Sequence, residues 1–157
     1  MGYKMRILAT QYTLSTKSLE IYVAGCNGQP HCKNCHNPES WNFNNGDLYT
    51  TDKFLAIKEK IADNPLLIKN IMIFGGEPLD QDKGELLILL QTLKTLNLPI
   101  WIFTRYDITE VYDFVKEYCD YIKCGRYIEE LKTDNNIQYG IKLATSNQKI
   151  YKKGVDY

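Results

Sequence analysis

Two short runs of apolar residues bracket an amphipathic stripe, and they restrict this chain to few folds. Ile71-Met72-Ile73-Phe74 is continuous and β-rich, as expected for a strand buried on both faces. Leu86, Leu89, Leu90 and Leu93 recur at helical spacing, and Pro99 to Phe103 is a second buried strand. Residues 19–24 read as an earlier strand ending at Gly25, and Phe54, Ile57 and Ile61 as a helix after it. Ile108, Val111, Tyr112 and Val115 mark a third helix, followed by a short strand from Asp120 to Cys124. Asp82 with Glu85, and Asp107 with Glu110, stand where capping pairs would begin two of these helices. Ile137, Tyr139, Ile141 and Leu143 alternate as a half-buried final strand would.

Strand–helix alternation of this kind predicts an α/β fold, with a mostly parallel sheet and helices packed over it. At 157 residues the chain is too short for a closed eight-fold barrel of ~250 residues. An incomplete, TIM-like barrel forming one domain over residues 1–157 is the expectation. Ligands in such sheets sit at the carboxyl ends of the strands. Cys26 follows the first main strand, Gly75 the second and Thr104 the third, so one rim collects them.

The loop from Cys26 to about Thr50 is long, polar and rich in Asn, Gly and Pro, as functional loops often are. It holds Cys26, Cys32 and Cys35. Thiolates are soft ligands for iron–sulfur clusters and for zinc. Cys32 and Cys35 can grip one centre, and Cys26 can close onto it through the five intervening residues. A cube held by three thiolates keeps one iron open for a substrate. The same run also fits a structural Cys₃His zinc site with His31 or His36 as fourth ligand. Five cysteines, an odd and mostly clustered set, favour a reducing, cytoplasmic compartment over a disulfide framework. Cys119 and Cys124 stand apart and read as buried small apolar groups. After Phe74 comes Gly75-Gly76-Glu77-Pro78, where glycines admit close backbone approach and Glu77 offers a carboxylate. Nineteen basic residues balance nineteen acidic ones, so no nucleic-acid surface is expected. No apolar run nears the roughly 20 residues of a membrane span.

Cys26…Cys32-x-x-Cys35 together with Gly75-Gly76-Glu77-Pro78 resembles the radical S-adenosylmethionine superfamily. More narrowly, Cys35-His36-Asn37-Pro38-Glu39-Ser40-Trp41, Gly125-Arg126-Tyr127-Ile128-Glu129-Glu130-Leu131 and Ser146-Asn147-Gln148 resemble the anaerobic (class III) ribonucleotide reductase activating proteins. The cysteine spacing here is five then two residues, where that family has three then two, and Thr104-Arg105-Tyr106 stands where it commonly has Thr-Gly-Tyr.

The resemblance implies a radical SAM fold and an oxidoreductase. Cys26, Cys32 and Cys35 would ligate a [4Fe-4S] cluster whose fourth iron takes the amino and carboxylate groups of S-adenosylmethionine. Gly75, Gly76 and Glu77 would hold the methionyl ammonium, and His36, Thr104 and Asn147 would contribute to the rest of the cofactor pocket. Reductive cleavage would yield methionine and a 5′-deoxyadenosyl radical. That radical would take a hydrogen from a glycine of the anaerobic ribonucleoside-triphosphate reductase. An electron donor such as flavodoxin or ferredoxin is implied. No general acid or base is required. Arg105, on the same rim, would either grip a carboxylate of the partner protein or lie solvated, the partner-facing role being the one favoured. The alternatives are an activator of another glycyl-radical enzyme, a small-molecule enzyme such as 7-carboxy-7-deazaguanine synthase, and a zinc-binding module without catalysis.

Overall fold

A computed structural model describes residues 5–27 and 42–157. Cys32, Cys35, His31, His36 and Trp41 lie outside the described residues. The order is β1 (Arg6–Thr13), β2 (Ser18–Val23), β3 (Asp47–Leu48), α1 (Thr51–Asp63), β4 (Asn70–Gly75), α2 (Lys83–Lys94), β5 (Ile100–Phe103), α3 (Asp113–Tyr118), β6 (Tyr121–Cys124), β7 (Lys132–Gln138), β8 (Ile141–Thr145) and β9 (Lys149–Lys152). Seven strands form one sheet in the order β3-β1-β2-β4-β5-β6-β9, and β7 pairs with β8.

The centre of the sheet is parallel. β2 pairs with β4, β4 with β5 and β5 with β6, each in the parallel sense. These are the strands that the apolar runs predict. Because their order advances in one direction, the helices between them fall on one face. That face is aliphatic: Ile21, Ile71, Ile73, Ile100 and Ile102 are fully buried against Ile57 of α1, the leucines of α2 and Val115 of α3. The opposite face is aromatic. Phe74 stacks on Phe103 at 4.1 Å and Trp101 on Tyr121 at 3.8 Å, and Ile141 and Leu143 of the β7–β8 hairpin pack there.

The edges depart from expectation. β1 and β9 close the sheet in antiparallel sense, and the two-residue β3 lies within the long loop. The sheet is not closed into a barrel. The alternation over residues 137–143 is two strands rather than one. Tyr139 and Gly140 both take positive φ, 49° and 79°, which turns the chain back on itself as a two-residue hairpin. The third helix is split. Asp107 and Glu110 form their capping box around a 3₁₀ turn, Ile108–Glu110, and α3 starts only at Asp113. At α2 the Asp82 side chain caps as expected, accepting from Glu85 N at 3.1 Å, but Glu85 Oε1 accepts instead from Met5 N at 3.2 Å. Among the described residues no helix is long and apolar enough to cross a membrane.

Candidate functional site

The carboxyl ends of the four parallel strands are joined by a continuous set of hydrogen bonds. After β2 the chain runs through Ala24 and Gly25 to Cys26. After β4 it turns at Gly75. There the turn pairs with the end of β2, since Gly76 N donates to Val23 O at 2.9 Å and Glu77 N to Gly25 O at 2.7 Å. Gly75 has φ 130°, and a Cβ there would stand 2.1 Å from Val23 O, so the close approach admits only glycine. Pro78 then opens a 3₁₀ turn, Pro78–Asp80, with its φ already set for a helical start.

Glu77 is the centre of this junction. It is 2% exposed. Oε2 accepts from Leu79 N at 3.0 Å and from the Thr104 hydroxyl at 2.6 Å, and Oε1 accepts from Arg105 N at 2.7 Å. One carboxylate thus caps the turn after β4 and fastens the loop after β5. Burial pushes its carboxyl up, to about 7, against the lowering pull of these donors. Gln81, 4% exposed, adds a second fastening: its Nε2 donates to Ala24 O at 3.0 Å and to Glu77 O at 3.2 Å. Motif reasoning passed over Gln81. Its one sequence signal is an amide one step beyond the turn that Glu77-Pro78 opens.

Thr104 and Asn147 are placed differently. Thr104 is 2% exposed and bonded to Glu77, so it reaches the rim through that carboxylate. Asn147 is exposed and its Nδ2 donates to Arg126 O at 3.0 Å, while Gln148 Nε2 donates to Gly125 O at 3.3 Å. Ser146 N donates to Leu131 O at 2.9 Å. The segments 125–131 and 146–148, distant in sequence, are therefore one structural unit. Gly125 N donates to Tyr106 O at 3.1 Å, linking that unit to the loop after β5.

Arg105 does not extend outward. Its Nη2 lies 3.5 Å from Asp80 Oδ2, and its guanidinium stacks over the Tyr106 ring at 4.4 Å. Burial opposes its charge, but Tyr106, Asp80, Cys26 and Glu77 outweigh burial and raise its pKa. The expectation that it faces a partner gives way to an inward role, because two carboxylates of the preceding loop attract it.

Cys26 is half-buried on this rim, beside the charge of Arg105. Cysteine sulfur is a soft ligand that suits iron. The one described thiol of the cysteine run therefore fits an iron–sulfur group. Cys119 is fully buried and Cys124, at the carboxyl end of β6, is 4% exposed; desolvation raises both thiols, Cys124 to about 12, which keeps them as protonated thiols.

The profile of the 4Fe-4S single cluster domain family matches residues 16–151. This chain belongs to that family. Membership in the 4Fe-4S single cluster domain family favours iron over the zinc alternative that the cysteine run alone left open. The chain is similar to the anaerobic ribonucleoside-triphosphate reductase-activating protein of Escherichia coli K12, 26% identical over 137 residues, covering 83% of this chain and 85% of that one. The protein of the same name from Enterobacteria phage T4 is 27% identical over 117 residues, 72% of each chain. That from Salmonella typhimurium LT2 is 26% identical over 137 residues, 83% of this chain and 85% of that one. The resemblance drawn from the sequence motifs is thus carried along most of the chain.

Proposed function

We propose that this chain is a radical S-adenosylmethionine activase that generates a glycyl radical on an anaerobic ribonucleoside-triphosphate reductase. The observation that carries this reading is the convergence of Cys26, the Gly75-Gly76-Glu77 turn and the Thr104 loop on one rim, in a member of a [4Fe-4S] family whose relatives bear that name. The one-directional winding of the parallel strands is what an incomplete radical SAM barrel over residues 1–157 requires.

In this reading Cys26, Cys32 and Cys35 hold the cluster. A cluster held there would supply the one-electron reduction that S-adenosylmethionine cleavage requires. The chain's own groups bind and orient. The Gly75-Gly76-Glu77 turn holds the methionyl ammonium. The half-buried Gly76 backbone is the part a ligand reaches, and Glu77 fixes the turn from beneath. The resemblance assigns His36 to the adenine part of the cofactor pocket, Thr104 keeps Glu77 in place and Asn147 would border the nucleoside. The sheet's open form leaves room for a protein loop, which favours a reductase over a small nucleobase as substrate. A flavodoxin or ferredoxin in the cytoplasm supplies the electron.

The test is anaerobic incubation with S-adenosylmethionine and a strong one-electron reductant. Wild type is expected to release 5′-deoxyadenosine and methionine in equal amounts, and Cys26→Ala to release neither. Stoichiometric zinc without iron in anaerobically prepared wild type would overturn the reading.

A further inference from the structure

The loop that carries Cys26 is held from outside itself. Asn27, directly after the cysteine, donates its N–H to Asp80 Oδ2 at 2.6 Å, across 53 positions of sequence. Asp80 ends the 3₁₀ turn after β4, and its side chain is 5% exposed. A carboxylate so buried is unfavourable unless its oxygens are bonded. Here Oδ1 accepts from the Tyr106 hydroxyl, and Oδ2, besides Asn27, faces Arg105 Nη2 at 3.5 Å. Arg105 Nη2 also donates to the Tyr106 oxygen at 2.9 Å, so the three side chains form a closed triangle. One carboxylate therefore meets three loops, those following β2, β4 and β5. Neither the cysteine spacing nor the Gly-Gly-Glu-Pro run accounts for it.

We propose that Asp80 is a positioning residue for the first cluster ligand: it fixes the backbone directly after Cys26, and Tyr106 and Arg105 hold its carboxylate in the orientation that does so. The proposal rests on the reading of Cys26 as a cluster ligand. It explains why the residue between Thr104 and Tyr106 is an arginine in this chain. The guanidinium neutralises Asp80 where the backbone N–H of Asn27 alone would not. It also gives Tyr106 a task that its ring alone does not require, since a phenylalanine would stack on Arg105 equally well.

The test uses anaerobically reconstituted full-length protein: wild type, Asp80→Ala, Asp80→Asn and Tyr106→Phe. Iron and sulfide content, the rate of cluster loss to an iron chelator and the electron paramagnetic resonance spectrum of the reduced cluster are measured for each. Wild type is expected to hold a [4Fe-4S] cluster. Asp80→Ala is expected to lose it about tenfold faster, the scale of a charge-assisted hydrogen bond, with a shifted spectrum. Asp80→Asn keeps an acceptor for Asn27 and is expected to recover most of the retention. Tyr106→Phe removes one O–H, leaves the core packing alone, and is expected to move in the direction of Asp80→Ala by a smaller factor. It decides the matter if Asp80→Ala does not fold. Wild-type loss rates and spectra in Tyr106→Phe and in any folded Asp80→Ala would overturn the proposal while leaving the cluster reading intact. Absence of iron from wild type would instead overturn the cluster reading beneath it.

Discussion

A carboxylate that is 2% exposed and accepts three hydrogen bonds puts opposing demands on its own proton. For Glu77 burial prevails, and its carboxyl rises from the usual 4.5 to about 7. The folded chain then holds a proton that the unfolded chain releases. The resulting stability is full below pH 4.5, declines as pH rises toward 7 and is gone above it. The thermal midpoint of the cluster-free protein should therefore fall over that window by the equivalent of up to about 3 kcal/mol. Glu77→Gln should flatten the decline. Wild-type stability that falls relative to the variant as pH rises from 4.5 to 7 would support this sign, and one that rises relative to it over that window would contradict it. Gly75 makes the opposite kind of demand, steric rather than electrostatic. Its absent Cβ would meet Val23 backbone atoms at 2.1 and 2.3 Å, which no rotamer can relieve. Gly75→Ala should cost about 3 kcal/mol or more, read as lost soluble yield or a lowered midpoint. Gly75 and Glu77 were legible as special residues in the sequence. The bonds of Glu77 were not, because Thr104 and Arg105 reach it only once β5 lies beside β4.

Among the elements, legibility followed burial on two faces. β4 and β5 declare themselves as apolar runs because both faces are covered. β1, covered on its outer side only by the two-residue β3, and the edge strand β9 mix polar and apolar residues, so their pattern resembles loop. The β7–β8 hairpin hid inside a clean alternation. Gly140 was the available signal, but tyrosine seldom occupies the positive-φ place before it. Around Tyr139 the ring meets Tyr121 edge-on at 5.4 Å, a tertiary contact that helps hold the residue there. A Cβ on Gly140 would meet open space, so Gly140→Ala should cost only the conformational term, about 1–2 kcal/mol. A loss as large as that of Gly75→Ala would contradict this account of the turn. At α2, Asp82→Ala should cost about 1 kcal/mol through the lost cap to Glu85 N, measurable by denaturant midpoint.

At the scale of the whole molecule the rim is built by the order of the strands. Winding β2, β4, β5 and β6 in one direction brings their carboxyl ends side by side, so residues as distant in sequence as Cys26 and Arg105 come together. Asn147 meets Arg126, Arg126 follows Gly125, and Gly125 meets Tyr106. Such a rim was foreseeable from strand–helix alternation, but the bracing by Asp80 and Gln81 was not, since single polar residues carry no periodic signal. The central claim is that this rim serves a protein glycine. It is tested most directly by mixing the reconstituted chain anaerobically with S-adenosylmethionine, a one-electron reductant and its cognate anaerobic ribonucleoside-triphosphate reductase, and recording the electron paramagnetic resonance spectrum of the reductase. The account predicts a glycyl-radical doublet that disappears when the reductase's radical glycine is replaced by alanine. A reductase that stays radical-free while S-adenosylmethionine is consumed on a small nucleobase compound would contradict it.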